Sequence, residues 1–215
     1  MKLLVMVVTT GLALAGVAQA QSTTASEGRA YVEAVAQSAF GNVTSQSFGG
    51  EAGVQVWRGL YVFVDAGDVR DAAPSVLGVN AQTIAGFLTQ SLTSVTFQVH
   101  QPVAFGVAGL KYVLPVTGRV EPYVLGGVGI ARVTKDVTFT VAGTDVTATL
   151  AQYGVVLGSD LSGTETKAMF SVGGGVMWPA WRRLLVDVQY RFGRVSTSGE
   201  SLGVNRVGLG IGVRF

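Results

Sequence analysis

The final stretch of the chain alternates without a break. Val207, Leu209, Ile211, Val213 and Phe215 are separated by Gly208, Gly210, Gly212 and Arg214. A strand turns successive side chains to opposite faces, so one face here is wholly apolar and the other carries glycines and a single arginine. Earlier segments repeat the arrangement through Val54 and Val56, Val62 and Val64, Val124 and Val128, Val172 and Val176, and Val186 and Val188. A greasy outer row over a glycine-rich, polar inner row is what a strand needs between lipid and a filled lumen. The spacing predicts strands at 29–40, 47–57, 60–69, 103–114, 119–133, 168–178, 183–192 and 204–215. That is an all-β chain forming a transmembrane antiparallel up-and-down β-barrel of eight strands, with ten as the alternative.

The connections alternate in length. Those after Trp57, Leu114 and Trp178 are tight, with Arg58 and Gly59, Pro115 and Gly118, and Pro179 as turn formers. Segments 70–102 and 134–167 are long, while 41–46 and 193–203 are shorter. Within 76–92, Leu77, Ala81, Ile84 and Leu88 recur at helical spacing and predict a short amphipathic helix. Val137, Phe139 and Val141 alternate with threonines, as do Val146, Ala148 and Leu150, across a turn at 143–145. This reads as a hairpin reaching beyond the bilayer, and in the ten-stranded alternative it joins the wall. Short turns belong on the periplasmic side of such barrels, so both termini are expected there. The three tryptophans, Trp57, Trp178 and Trp181, all fall at these short turns, with Tyr112 and Phe215 at matching strand ends. Indole prefers the membrane interface, which makes Trp57, Tyr112, Trp178 and Trp181 the periplasmic aromatic girdle. Phe40, Phe48 and Phe192 are expected in the opposite one.

The amino terminus supplies an address. Met1 and Lys2 lead into an apolar run from Leu3 to Val17, and Ala18, Gln19 and Ala20 form the small-x-small pattern that precedes cleavage. A signal peptide at 1–20 is expected, then a short periplasmic segment at 21–28 and the barrel at 29–215. With no cysteine, the chain has neither a lipidation site nor a disulfide framework. Thirteen per cent charged residues and a mean hydropathy of +0.45 are too apolar for an ordinary soluble domain. A formal net charge of +2, with no basic stripe, argues against nucleic acid.

Parity places Glu33, Glu51, Asp65, Lys111, Glu121, Asp187, Arg191, Arg206 and Arg214 on the lumen side. A barrel this narrow has an interior that side chains fill, so these groups are expected to pair. Reflection about Arg58 sets Glu51 opposite Asp65, a repulsion relieved either by a proton shared between the two carboxylates or by a cation from Lys111, Arg191 or Arg214. Reflection about Val116 sets Lys111 opposite Glu121. The rival reading of this lumen charge cluster is a gate or selectivity ring.

The strand Glu121, Pro122, Tyr123, Val124, Leu125, Gly126, Gly127, Val128, Gly129 resembles the fifth strand of OmpA/OmpX-like outer-membrane barrels. Phe105 to Tyr112 resembles the strand before it. Phe215 resembles the carboxyl-terminal signal read by the barrel-assembly machinery. The resemblance implies the bacterial outer membrane and contact with its lipid; the expected departure from longer relatives is that no peptidoglycan-binding domain follows Phe215. Catalysis and metal binding are not expected. His100 is the only histidine, there is no cysteine, and Gly173, Gly174 and Gly175 lie in a strand pattern with no helix to hold a phosphate. No cofactor is implied. The expected role is structural or surface interaction through the outer loops, with an unknown extracellular partner; a narrow gated passage for small solutes is the alternative, and a rim enzyme the least favoured.

Overall fold

Ten strands follow one another in the computed structural model, which describes residues 29–158, 161–196 and 201–215. They are β1 (Ala30–Phe40), β2 (Ser45–Trp57), β3 (Leu60–Val69), β4 (Val95–His100), β5 (Val103–Val113), β6 (Glu121–Val141), β7 (Thr144–Asp145), β8 (Gly163–Trp181), β9 (Leu184–Ser196) and β10 (Ser201–Arg214). Helix α1 (Ser75–Leu88) precedes β4, and a 3-10 helix (Thr147–Tyr153) follows β7. The signal peptide expected at 1–20 and the segment 21–28 lie outside the described residues.

All strands but β4 and β7 pair antiparallel with a neighbour on each side, and β1 closes on β10. Eight strands therefore make the wall. The seam is sealed at the terminus, where Ala30 and Phe215 exchange backbone hydrogen bonds of 2.9 Å. Lateral pairing from Ala30 runs through Val54, Val62, Leu110, Gly126, Val172, Phe192 and Asn205 and returns to Phe40, ten residues further along β1. A stagger of that size tilts the strands by roughly 40°. Outward positions are apolar and open: Val128 is 71% exposed and Ile211 61%. Inward, Tyr31, Phe63, Tyr123, Met177 and Leu185 are buried together. Water cannot be the solvent of such an exterior; this is a transmembrane barrel.

At one end the connections are short. Arg58 and Gly59 form a two-residue turn, Gly59 adopting φ +72°. The turn between β8 and β9 is made by Arg182 and Arg183 rather than Pro179, which sits within β8 beside a bulge. A proline there leaves the strand intact because the bulge relieves the ladder of its missing N–H. The segment between β5 and β6 also differs from its expected geometry. Lys111 faces Leu125, not Glu121, because the chain turns about Gly118 and not Val116.

At the other end β6 and β8, of 21 and 19 residues, outrun the ~9–11 that a span requires. The upper part of β6 pairs with β4, from Val95↔Val141 to His100↔Asp136. The expected hairpin is realised only as a tight turn at Ala142 and Gly143 into the two-residue β7. Val146, Ala148 and Leu150 are not its second strand. The Asp145 carboxylate accepts the Thr147 N–H at 2.9 Å, and this turn diverts the chain into the 3-10 helix. The same bonds from Thr147 hold the Asp145 carboxyl below its ordinary range. Helix α1 buries Leu77, Ala81, Ala85 and Leu88 against Val137, Phe139, Leu150 and Leu161, a second apolar core.

Strand β4 ends the sheet. Ala142 donates to the Ser94 carbonyl at 3.2 Å and Thr134 to that of Pro102 at 3.0 Å, so the even-numbered residues between them bond to β6. The backbone groups of Val95, Phe97 and Val99 point away from β6 and meet no partner among the described residues. At the base of this edge, Gln101 N–H donates to Asp71 Oδ1 at 3.0 Å and Ala72 N–H to the Gln101 carbonyl at 2.9 Å.

Candidate functional site in the lumen

Three carboxylates lie side by side in the middle of the barrel. Glu33, Glu51 and Asp65 face one another on β1, β2 and β3. Side-by-side carboxylates repel, and the cations that bond to Glu51 and Asp65 come from other strands. Arg191 on β9 bridges Glu51 and Asp65, donating to Asp65 Oδ2 at 2.9 Å. Lys111 on β5 and the Tyr31 hydroxyl also bond to Glu51. Arg206, the lateral neighbour of Arg191, lies 3.6 Å from Asp65 Oδ2. All six charged groups are buried.

Aromatic rings and amides complete the packing. The Lys111 ammonium lies 4.6 Å from the Tyr31 ring centre and 4.3 Å from that of Tyr123. Arg206 stacks 4.1 Å above Phe105 and Arg191 5.6 Å from Phe63. Arg191 Nε donates to Gln189 Oε1 at 2.5 Å, which orients the guanidinium toward the acidic row. Tyr123 donates to Asp187 Oδ2 at 2.7 Å. The glycine row of β10 gives Glu33 its room: a Cβ on Gly210 would lie 2.8 Å from Glu33 Oε2. Gly53 is similarly overlain by the Tyr31 ring, so the glycines admit large polar side chains to a narrow tube.

Of the nine residues singled out, Glu51, Asp65, Lys111, Arg191 and Arg206 form one network. Glu121 and Arg214 form a separate bidentate pair, 2.9 and 2.6 Å, toward the short-turn end. Arg214 thus serves Glu121 and not Glu51 or Asp65, and Lys111 serves Glu51 and not Glu121. Neither carboxylate oxygen of Glu33 has a hydrogen bond among the described residues, nor does Asp187 Oδ1. Tyr31, Tyr123 and Gln189 are part of the site that charge alone does not mark; they share the odd-numbered inward parity of Glu33, Glu121 and Asp187 on the same strands. His100 lies far along the chain at the base of β4, its Nδ1 3.4 Å from Asp71 Oδ2 and its side chain largely exposed. Trp57, Trp178 and Trp181 are open to the outside at the short-turn end, at 74%, 47% and 73%, with Tyr112 beside them on β5.

Three solved structures share this closed wall. A major outer membrane protein from Thermus thermophilus matches with TM-score 0.55 and 12% identity over 86% of this chain and 99% of its own. The N-terminal β-barrel domain of Pseudomonas aeruginosa OprF matches with TM-score 0.51 and 14% identity, over 88% and 100%. Ail, the attachment invasion locus protein of Yersinia pestis, matches with TM-score 0.50 and 15% identity, again over 88% and 100%. The chain has the fold of the small, OmpA/OmpX-like outer-membrane β-barrels. No protein-family model and no curated protein matches its sequence. In this barrel the centre of the tube is occupied by side chains that bond to one another.

Proposed function

We propose that this chain is a structural and surface-interaction protein of the bacterial outer membrane, plugged by its own ion pairs and acting through its long-loop end. The carrying observation is β4: the wall has no free edge, yet β4 presents the unpartnered backbone of Val95, Phe97 and Val99 beyond the apolar band. Open edges of this kind accept an extended strand from another polypeptide. The second apolar core beneath α1 holds that edge in shape. In this reading the long-loop end lies outside the cell and both termini in the periplasm, since short turns face the periplasm in such barrels. Phe215, hydrogen-bonded to Ala30 at the seam, is the residue offered to the barrel-assembly machinery. The fold is one that takes ligands elsewhere: Ail has been solved with the heparin analogue sucrose octasulfate. No catalytic role is assigned, as His100 is engaged with Asp71 at the foot of the edge strand.

The absence of native cysteine makes the topology directly testable. Gln98→Cys, on β4, should react with a membrane-impermeant maleimide on intact cells, and Arg58→Cys only after the outer membrane is permeabilised. The reverse pattern excludes the proposal. A second reading, a narrow passage for small solutes, is favoured by the buried polar atoms of Glu33, Gln37, Ser171 and Gln189 that have no partner among the described residues. Ion conductance by the purified barrel would select it.

A further inference from the structure

The charges of the described residues are not spread evenly. Beyond the lumen, the long-loop end carries five acidic and five basic side chains, Asp68, Asp71, Asp136, Asp145 and Glu165 balancing Arg70, Arg132, Lys135, Lys167 and Arg194. The short-turn end is different. Arg29 immediately precedes β1, Arg58 sits in the β2–β3 turn, Arg119 between β5 and β6, and Arg182 and Arg183 between β8 and β9. All five are exposed, and none makes an ion pair among the described residues. The described Asp and Glu side chains at that end reduce to Glu121, already neutralised by Arg214. Each of the four junctions of the ring, the β10–β1 seam and the three turns, thus holds a guanidinium with no ion-pair partner among the described residues.

Their depth decides what they meet. Arg58 follows Trp57, and Arg182 and Arg183 follow Trp181, both indoles being about three-quarters exposed. Tryptophan marks the boundary between hydrocarbon and headgroups. One or two residues further along a strand, at ~3.3 Å each and tilted by roughly 40°, is still inside a headgroup layer some 5–7 Å thick. Arginine gives planar, bidentate hydrogen bonds to phosphate and reaches outward on an apolar stem.

We infer that the short-turn rim is a ring-shaped binding surface for the phosphate headgroups of anionic glycerophospholipids in the adjoining leaflet. The ring sets a local lipid composition around the barrel and fixes its height in the membrane. It rests on the transmembrane fold and is independent of which partner, if any, β4 receives.

The test places the purified barrel in nanodiscs of equimolar palmitoyl-oleoyl phosphatidylethanolamine and phosphatidylglycerol and measures co-retained lipid by native mass spectrometry. With each basic residue worth about fivefold near an anionic surface, the wild type should retain phosphatidylglycerol at least about fivefold over phosphatidylethanolamine. The preference should shrink between about 50 and about 500 mM NaCl as the charges are screened. Combining Arg29→Gln, Arg58→Gln, Arg119→Gln, Arg182→Gln and Arg183→Gln should bring the ratio to within about twofold of unity, while the five corresponding Lys substitutions keep it. Arg70→Gln, Arg132→Gln and Arg194→Gln together, at the opposite end, should leave it unchanged. Heat-modifiable gel mobility verifies that each variant is folded. If the quintuple variant does not fold, Arg58→Gln alone, in a two-residue turn, must still lower the ratio. The inference is overturned by a wild-type ratio near unity, by an unchanged ratio in the Gln variant, or by equal loss on changing the long-loop end. It is equally overturned if the Gln variant loses only co-sedimentation with isolated peptidoglycan while its lipid ratio stays intact, which would make the partner an acidic glycan.

Discussion

The wall and the long-loop end handle valine in opposite ways. In the wall, Val54, Val64, Val128 and Val188 face outward and are about half-exposed or more, while Glu51, Lys111 and Arg191 are buried. Beyond the wall the ordering reverts to that of a soluble protein: Val137, Phe139 and Leu150 are buried, and Thr96, Gln98 and His100 face outward. The two regions are continuous through β6, which changes its rule partway along its length. The surrounding medium decides which side of a strand is apolar, so the transition from lipid to water is written in one strand.

The comparison breaks first in the lumen. Arg191→Met leaves Glu51 and Asp65 without their shared cation and should destabilise the barrel by about 3–5 kcal/mol, read as thermal unfolding in detergent. Adding Glu33→Gln, Glu51→Gln, Asp65→Asn, Lys111→Met and Arg206→Met to it should recover much of the loss, because the network then keeps its volume and leaves none of its charges unpaired. A single Arg191→Met effect below about 1 kcal/mol would mean the network is solvated rather than packed. On the outer face, Val188→Arg should cost about 2–4 kcal/mol near the bilayer midplane, measured by reversible unfolding in lipid vesicles. The same change at Gln98, on β4, should cost almost nothing. In the outer core, Leu77→Ala should cost about 2 kcal/mol, lost locally: amide exchange in α1 and β4 accelerates while the wall is unaffected. Weakest is Asp71→Asn, which loosens the bonds to Gln101 and Ala73 and should speed exchange at the foot of β4, by an equivalent of about 1 kcal/mol.

Sequence carried the wall because parity is absolute: a one-residue slip would put Val186 inward and Asp187 into lipid. The two-residue turn at Arg58 and Gly59 pairs Trp57 with Leu60, and a bulge between Gln55 and Trp57 shifts the register by one so that Glu51 meets Asp65; the inward parity of both carboxylates, not the turn, made that pairing legible. Between β5 and β6 the loop is longer, and turning about Val116 or Gly118 preserves parity equally; nothing in the alternation selects the axis that sets Lys111 opposite Leu125. The bridge from Arg191 to Glu51 and Asp65 spans the lumen, and strand-neighbour patterns do not encode contacts across a tube. At the other end, α1 was visible in the spacing of Leu77, Ala81 and Leu88. Strand β4 was not read, although Val95, Phe97 and Val99 alternate with Thr96, Gln98 and His100, because its partner is the extension of β6, distant in sequence. Val146, Ala148 and Leu150 carried the same alternation and became a 3-10 helix, since the Asp145–Thr147 bonds bend the chain before pairing begins.

The central claim is that buried charges close the tube and that the barrel acts at its long-loop end. Current through the purified protein in a planar lipid bilayer tests it most directly. The wild type should show no discrete conductance steps, and Arg191→Met should show them, or a noisy leak, as the packing loosens. Regular, reproducible steps from the wild type would contradict the claim and make the row of Glu33, Glu51 and Asp65 the lining of a passage.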